Sequence, residues 1–588
     1  MSLIDWLIVG AYVVTALVIG LYFTKRAAPS TAHFFVAGRS LPWFVAGTSI
    51  VATTFSADTP LVVAGLSRQS GIYENWFWWS AAIGQLATVF FFARLWRRTG
   101  IMTDIEFLVL RYEPSAARSA LRIFKVVFDG ILVNCIIMAS VTFAMAKVIN
   151  VLLDLSPTPL FHLPLVGGVT STALVLILLA GTAVLYASLS GLYGVVYTDL
   201  VQFVLAMIGS IGLAAMTYID AASDAGIVAK LAAVPNFNAD FLKFFPDVTS
   251  FDLLTMTFMV YIFVTWWQYA PGNGYFVQRL LATRSENDAF LAFLWYNICH
   301  YVVRSWPWIF VGLLSLHYLP QLDNPESAFP EMIDLFLPVG LKGIMVASLL
   351  AAFMSTLDTH LNWGASYLIN DLYRPFIKPE ANDQHYVFAG RLGILVLTLI
   401  FLLVSSQIDS ILGAYKYLSV ILGGLGTVMI ARWYWWRVNA YSEIAALAAS
   451  FVVGNAVELT LPSTDDAELY GVRVMITVAV VTVVWVMVTL LTSKTPGHQT
   501  ITFYTTLKIG GAGWKKIREL SGIQPIGGTF KDSVIGWGVS MVFLFSSLLG
   551  LGQLIFGAWG AASMLLAVAV GSGIMLKTYI GKIRQLDF

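Results

Sequence analysis

Long apolar runs alternate with short polar breaks along the whole chain. Each run holds roughly 20 residues, which is the length that an α-helix needs to cross the hydrocarbon core of a bilayer. This criterion predicts about fifteen transmembrane helices, near residues 4–24, 41–66, 74–96, 122–151, 168–188, 191–217, 252–277, 287–316, 336–370, 386–406, 411–431, 441–461, 471–492, 533–553 and 557–578. The pattern therefore predicts an all-α polytopic membrane protein.

Lysine and arginine are concentrated in alternate loops, which is typical of the cytoplasmic side of a membrane protein. The positive residues of these loops include Arg94, Arg97, Arg98, Arg111, Arg118, Arg122, Arg279, Arg284, Arg374, Lys378, Lys508, Lys515, Lys516 and Arg518. With an odd number of crossings, this asymmetry places the N-terminus outside the cell and the C-terminus in the cytoplasm. We expect a multi-pass protein of the inner (plasma) membrane.

One stretch near residues 494–532 is too polar to span a membrane. It contains three glycines beside a tryptophan and two lysines. We predict a cytoplasmic connector that lies at the membrane interface. A regulatory role is conceivable, but an inert surface linker is the simpler interpretation, because most loops have no dedicated function.

Composition narrows the class of protein further. The chain is 58% hydrophobic and 11% charged, whereas soluble domains carry about 25% charged residues. The net charge of +1 and the lack of a long basic run argue against nucleic-acid binding. The two cysteines lie in apolar runs, and the seven histidines form no metal-spaced cluster or Ser-His-Asp set, so we expect no enzyme. The lipid bilayer is an expected partner, and no obligate protein partner is implied.

The second apolar span is interrupted by polar residues in its middle. The run Thr48–Pro60 contains serines, threonines and Asp58. Pro60 has no N–H and clashes with a preceding carbonyl, so carbonyl oxygens near Ser56 are freed, and such oxygens suit a hard cation. Irregular backbone inside a bilayer is tolerated only where it lines a cavity or binds a ligand. A simple proline kink with hydroxyls bonded back to the helix is the alternative.

The ninth span carries a matching set of oxygens. Ser355 and Thr356 are adjacent, and Asp358 and Thr359 follow about one turn later on the same helix. Neutral hydroxyl oxygens together with carbonyls are suitable ligands for a weakly held monovalent cation. The alternative is that these hydroxyls only pack or bond back to their own helix, as serine and threonine commonly do in membrane helices.

Several motifs resemble those of the sodium:solute symporter family, which includes bacterial proline, sialic-acid and galactose symporters. The resemblance covers residues from about 4 to 435 and rests on Leu41-Pro42-Trp43, the Ser49–Ala57 break, Tyr197-Thr198-Asp199 with Gln202, Val277-Gln278-Arg279 with Ala282, Ala352–Asp358 with Asn362, and Asp371-Leu372-Tyr373. The motifs fall in the family's order.

The resemblance implies a LeuT-like core of ten helices, built as two inverted repeats of five, with a binding site at the membrane midplane. Spans two and seven would be the broken helices. The core would occupy residues 41–435. One extra helix and an internal loop would precede it in residues 1–40, and four extra helices with the connector would follow in residues 436–588.

The resemblance also implies two cation sites. The main sodium site would consist of the carbonyls of Ala52, Phe55 and Ala352 with the hydroxyls of Ser355 and Thr356. The second cation site would consist of Asp199, Ser355, Asp358 and Thr359. If Asp199 and Asp358 face each other, like charges favour protonation of one of them, so proton coupling is an alternative at this locus. Asp199 could also be only an acid at a helix end.

The solute site is less closely specified. Where a galactose symporter has a glutamate, this chain has the aromatic run Trp76–Trp79, so a sugar is disfavoured. Tyr269 matches the family's inner gate tyrosine. Asp58 with the tryptophans forms a possible aromatic box for an amine or a quaternary ammonium, although tryptophans also form interfacial belts. We therefore predict a solute site composed of Thr54, Asp58, Thr59, Trp76, Trp266 and Tyr269.

Together these features predict sodium-driven symport of a small organic solute, such as an amino acid or a quaternary amine, by alternating access. Sodium would be the coupling ion. Proton-coupled symport is the alternative. An uncoupled channel or a sensor module is less favoured, because the chain contains two unlike helix breaks rather than one constriction repeated around an axis.

Overall fold

The computed structural model of this chain describes residues 1–27, 30–156, 158–163, 167–223, 226–235, 237–249, 252–461, 467–493, 495–526 and 530–585. Regular structure in these residues is almost entirely helical, because backbone groups inside a bilayer must be satisfied within their own segment. One short antiparallel hairpin, β1 (Phe161–Leu163) and β2 (Gly167–Val169), pairs Phe161 with Val169.

Among the described residues, eleven α-helices precede residue 224. They are α1 (Leu3–Ala27), α2 (Thr31–Val36), α3 (Trp43–Phe55), α4 (Asp58–Ser70), α5 (Trp76–Trp79), α6 (Ala81–Ala87), α7 (Ala93–Thr99), α8 (Phe107–Arg111), α9 (Ala116–Lys125), α10 (Asn134–Leu153) and α11 (Ser171–Ser223). Gly191 interrupts α11 with φ 51° and ψ −154°. A Cβ there would lie 2.6 Å from the carbonyl oxygen of Phe34, so this break suits glycine.

Ten helices carry the chain to residue 434. They are α12 (Ile227–Ala232), α13 (Leu253–Phe263), α14 (Gly274–Ala282), α15 (Glu286–Asn297), α16 (Ser305–Tyr318), α17 (Ala328–Phe336), α18 (Leu341–Tyr367), α19 (Asp383–Ser405), α20 (Ile411–Gly423) and α21 (Gly426–Tyr434). The final six are α22 (Ala440–Thr460), α23 (Ala467–Thr492), α24 (His498–Leu507), α25 (Lys515–Ser521), α26 (Phe530–Ile555) and α27 (Trp559–Gln585).

Among the described residues, 10 helices are long and apolar enough to cross a membrane, or up to 13 if each of three bent pairs is one span. The all-helical polytopic architecture is confirmed, whereas the count of fifteen and the inverted five-helix repeats stay predictions. The pairs bend by 58° between α3 and α4, by 51° between the segments Leu253–Tyr269 and Gly274–Ala282, and by 41° between α20 and α21. The first two breaks lie in the spans where the sequence analysis expects them; the third was not predicted.

Helix α18 is the most enclosed of these spans. In the segment that contains it, 89% of the most apolar window is buried inside the protein, compared with 28% for the first span and 22% for the last. It packs against α1, α3, α10, α11 and α19. The polar residues of α18 therefore face other helices rather than lipid, which is where a membrane protein places functional polar groups.

The predicted connector near residues 494–532 is folded over its described part. Trp514 is buried, and its Nε1 donates a hydrogen bond of 2.8 Å to the carbonyl of Trp433 at the end of α21. Arg98, in α7, donates a bond of 2.9 Å to the carbonyl of Leu507 at the end of α24. The connector is thus docked on the ends of two core helices.

Candidate functional site

The break between α3 and α4 exposes the last carbonyls of α3. Helix α3 ends at Phe55, Ser56 takes a left-handed φ of 44°, and α4 begins at Asp58. Pro60 lies in the first turn of α4, where a missing N–H costs no helical hydrogen bond. The carbonyls of the last turn of α3 consequently lack the donors that a continuous helix would supply.

Side chains donate hydrogen bonds to some of these carbonyls, while other carbonyls have no side-chain donor among the described residues. Arg304, fully buried in the turn before α16, donates to the carbonyls of Val51 at 2.9 Å and Thr54 at 2.8 Å. Thr356 donates to the carbonyl of Thr53 at 2.9 Å. Within the described part of the chain, no side chain donates to the carbonyls of Ala52 and Phe55, which are the two carbonyls that the predicted main sodium site takes from α3.

The two hydroxyls of the predicted main sodium site, on Ser355 and Thr356, are oriented by hydrogen bonds. Ser355 donates to Asp199 Oδ1 at 2.6 Å. Thr356 is within bonding distance of the carbonyls of Thr53 at 2.9 Å and Ala352 at 3.0 Å. Each hydroxyl proton is thereby directed to an acceptor of the protein, which leaves the oxygen lone pairs for a cation. The structure brings α3 and α18 together at this point.

The residues of the second cation site have a different environment, because a buried arginine lies among them. Arg279 Nη2 donates to Thr359 Oγ1 at 2.6 Å, and Arg279 Nε donates to Ser49 at 3.3 Å. Ser49 in turn donates to Asp199 Oδ2 at 2.5 Å. The guanidinium is fully buried. A positive charge of the protein itself therefore lies next to Asp199.

Asp358, the extra acid of this locus, is also buried. Its Oδ1 has no hydrogen-bond partner among the residues that the structure describes. The sequence motif contains Arg279 but assigns no role to it. The order of residues along the chain does not indicate that Arg279 reaches the hydroxyl of Thr359.

A cavity of about 360 Å³ lies beside the break. Its lining is mainly aromatic, amide-bearing and hydroxyl-bearing, and includes Thr54, Ser56, Thr59, Trp78, Gln85, Gln268, Tyr269, Tyr275, Tyr296, His300, Tyr301, Thr356, His360, Trp363, Tyr415 and Ser419. Four charged residues also belong to the lining: Asp104, Lys125, Asp129 and Arg432. A cavity of this size and character suits a small organic ligand. Thr356 belongs both to this lining and to the predicted main sodium site, so the cavity adjoins the residues predicted to bind sodium.

The predicted solute residues divide into two groups. Thr54, Thr59 and Tyr269 line the cavity. Asp58 is fully buried and does not belong to the lining. The lining residue Tyr415 donates a hydrogen bond to Asp58 Oδ2.

Trp76 and Trp266 are not in the cavity lining. Trp76 donates to the carbonyl of Phe244 at 2.9 Å and stacks on Phe545, and Trp266 lies against Trp537. Phe77 and Trp78 are the members of the aromatic run that line the cavity. Four consecutive aromatic residues cover every face of a helix, so the sequence does not indicate which one faces inward.

Sequence reasoning missed His300, His360 and Tyr415 as lining residues. The signal that was available for the histidines is a polar ring inside an apolar span, which is uncommon and marks a functional position by default. Tyr415 gave no such signal, because tyrosine is frequent in membrane helices near the interface.

Known proteins resemble this chain over most of its length. The family model described as sodium:solute symporter family matches residues 34–452. The sodium/glucose cotransporter of Vibrio parahaemolyticus is 26% identical over 76% of this chain and 84% of that protein. The sodium/sialic acid symporter NanT of Aliivibrio fischeri is 24% identical over 82% of this chain and 92% of that protein.

A solved structure has a similar fold. It is the substrate-bound outward-open state of a Na⁺-coupled sialic acid symporter, and it matches 85% of this chain and 99% of its own chain with a TM-score of 0.64. The sequence identity is 21%, so this likeness concerns the fold alone.

Proposed function

Because this chain belongs to the sodium:solute symporter family, we propose that it drives uptake of a small organic solute, bound in the cavity beside the α3–α4 break, by alternating access. The chain is a sodium-coupled symporter rather than an enzyme, and sodium is its coupling ion. It is a multi-pass membrane protein. The asymmetry of lysine and arginine supports an external N-terminus and a cytoplasmic C-terminus in the plasma membrane.

The observation that carries the proposal is the pair of carbonyls on Ala52 and Phe55 to which no described side chain donates. They lie at the end of α3, which Thr356 of α18 joins through the carbonyl of Thr53. Sodium binding at Ala52, Phe55, Ala352, Ser355 and Thr356 would link α3 and α18. Because Thr356 also lines the cavity, sodium binding would affect the solute site through this residue.

The solute class that we propose is an amino acid, a quaternary amine or a similar molecule. Two features support it: the aromatic lining, which suits cation–π contacts, and the buried acid Asp58, which contacts the cavity through Tyr415. The relatives are named for glucose and sialic acid. The solute proposed here differs because the cavity-lining residues of the aromatic run are Phe77 and Trp78 rather than an acid, while the acids Asp104 and Asp129 line the cavity elsewhere.

Thermal unfolding of the purified protein tests this function. We expect sodium to stabilise the protein saturably and potassium not to, since ligands that bind the native state stabilise it by mass action. In saturating sodium, amino acids, quaternary amines, sugars and organic acids are then compared for added stabilisation, and the best is tested for uptake in proteoliposomes under a sodium gradient. Equal stabilisation by sodium and potassium, with no gradient-driven uptake, would contradict the proposal.

Proton coupling is the second candidate, and the orphan Oδ1 of Asp358 favours it, because an unpaired carboxylate in a buried site is costly unless protonated. A proton would then replace the second ion beside sodium. Sodium-driven uptake with an added pH dependence that is lost in Asp358→Asn would decide for this candidate.

A further inference from the structure

Two histidines line the solute cavity and lie beside neighbouring residues of the α3 terminus. His300, in the π-helical segment Ile298–Val303 between α15 and α16, is 3.3 Å from Thr54 Oγ1 through its Nδ1. His360, in α18, follows Thr359, whose hydroxyl is 3.1 Å from that of Thr53. Both side chains are more than nine-tenths buried. Their hydrogen-bond partners inside the protein fix which ring nitrogen carries the proton.

His360 is held by Asn134. The Asn134 amide donates from Nδ2 to the carbonyls of His360 at 2.9 Å and Gly130 at 3.2 Å. These two acceptors fix the orientation of the amide, so its Oδ1 is the atom 2.6 Å from His360 Nδ1. An amide oxygen only accepts, and therefore Nδ1 of His360 carries the proton.

The remaining nitrogen of His360 is consequently a hydrogen-bond acceptor. In a neutral imidazole with its proton on Nδ1, Nε2 has a free lone pair. The ring lies against Tyr275 at 5.3 Å and Trp363 at 5.5 Å between centroids, which limits its rotation. Because His360 lines the cavity and Nδ1 is bound to Asn134, Nε2 is the nitrogen left for a solute.

His300 has the opposite arrangement. Its Nδ1 contacts Nη2 of Arg304, and the same Nη2 is farther from Nε2, at 3.4 Å. A guanidinium only donates, so Nδ1 accepts and the proton of the neutral ring is on Nε2. His300 thereby offers the cavity a donor, next to the buried positive charge of Arg304.

We infer that the solute is amphoteric: it presents an acceptor, favoured as a carboxylate by Arg304, to His300 and an N–H or O–H donor to His360. This inference rests on the proposed function and narrows its solute class. A primary or secondary amino acid satisfies both histidines. A quaternary amine has no N–H for His360, and a simple amine has no acceptor for His300.

Binding to the full-length protein in saturating sodium tests the inference. The common amino acids are screened by thermal stabilisation, and the one that binds most tightly is compared with two analogues: its N-trimethyl derivative, which lacks the donor, and its decarboxylated amine, which lacks the acceptor. We expect each analogue to bind about tenfold more weakly, the loss typical of one missing hydrogen bond.

Two variants assign each loss to one histidine. In His360→Leu the amino acid should bind no better than its N-trimethyl analogue, while the decarboxylated amine stays weaker than the amino acid. His300→Leu should do the reverse. His385→Leu is the matched control, since His385 bonds to Tyr373 and is not in the cavity lining, and it should keep both ratios. Sodium stabilisation reports that each variant is folded.

Asn134→Leu provides an independent check, because it removes the partner that fixes the tautomer without removing the imidazole. It should weaken the amino acid and leave the N-trimethyl analogue unchanged. The inference is overturned if sodium stabilises the protein but no amino acid does, if the N-trimethyl analogue binds equally to the wild type, or if the variants keep the wild-type ratios. Failure of sodium itself to stabilise the protein would overturn the proposed function instead.

Discussion

Two groups of oxygen atoms, about one helical turn apart on α18, differ in the charge that the protein places next to them. At the predicted main sodium site, Thr356 donates to the carbonyl of Thr53 in α3 and Ser355 donates to Asp199. At the second cation site, Thr359 already accepts a hydrogen bond from the guanidinium of Arg279. Similar residue types in sequence thus have different tertiary neighbours.

The position of Arg279 indicates how the buried charge of Asp199 is compensated at the predicted second cation site. A buried carboxylate is stable only when it is paired and hydrogen-bonded. Asp199 accepts bonds from Ser49 and Ser355 and has Arg279 beyond Ser49. The predicted ligands of the main sodium site are neutral oxygens without a cation of the protein among them, and Asp199 lies one hydrogen bond away through Ser355, so a sodium ion can bind there without displacing a cation of the protein. We therefore expect one sodium at the main site and a permanent cation at the other.

The largest effect is expected when the permanent cation is removed. Arg279→Gln leaves the buried Asp199 without its charged neighbour and should lower the free energy of unfolding by about 3–5 kcal/mol, the cost of leaving a buried charge uncompensated. Arg284→Gln is the control, because the Arg284–Asp288 pair is largely exposed on the arginine side and should cost about 0–1 kcal/mol. The measurement is thermal unfolding in detergent. Equal, small losses in both variants would show that Arg279 is not needed to balance Asp199.

Removal of both hydroxyls should next abolish the sodium response. In the Ser355→Ala and Thr356→Ala double variant, the loss of two ligands should weaken sodium binding by at least about a hundredfold, which corresponds to about 2.7 kcal/mol of stabilisation at a fixed sodium concentration. The control is Ser348→Ala on the same helix, whose hydroxyl bonds only to Met345 in the described contacts. A sodium titration of unfolding temperature is the readout, and a double variant that responds like the wild type would refute the main sodium site.

Asp199→Asn tests whether the second cation site takes an ion at all. With Arg279 in place, we expect a hyperbolic sodium curve for uptake in the wild type. Asp199→Asn should keep the hyperbolic shape and lower the sodium affinity by about fivefold, because Ser355 loses a charged acceptor. A fivefold change corresponds to about 1 kcal/mol, the lower end of the usual coupling free energy between linked groups. A Hill coefficient above one in the wild type that falls to one in Asp199→Asn would instead establish a second sodium, as the family resemblance implies.

The smallest effect is expected at Asp58, which belongs to neither locus. Its Oδ2 bonds to Tyr415, and only Tyr415 lines the cavity. Asp58→Asn should weaken the solute by about two- to threefold, near the lower limit for one hydrogen bond, and leave sodium binding unchanged. Tyr415→Phe, which removes the same bond from the cavity side, should match it. A larger loss of sodium than of solute affinity would place Asp58 in the ion site.

The sequence by itself determined the membrane class, most of the spans and the two helix breaks in spans two and seven. Apolar length decides whether a segment can cross lipid, and a proline or a polar run inside such a segment has few tolerated uses. Both are local properties, so Pro60 and the Ser355–Thr356 pair could be identified without a structure. The motif resemblance added the family, which the family model confirms.

Tertiary structure alone decided which partners these residues meet. Arg279 is 80 positions from Thr359 along the chain, and His360 is 226 positions from Asn134. A hydrogen bond between such residues depends on how whole helices pack. For the same reason the sequence could not show that Trp78 rather than Trp76 lines the cavity, or which nitrogen of each histidine faces it, because a proton's position is set by partners that only the packed helices bring within reach.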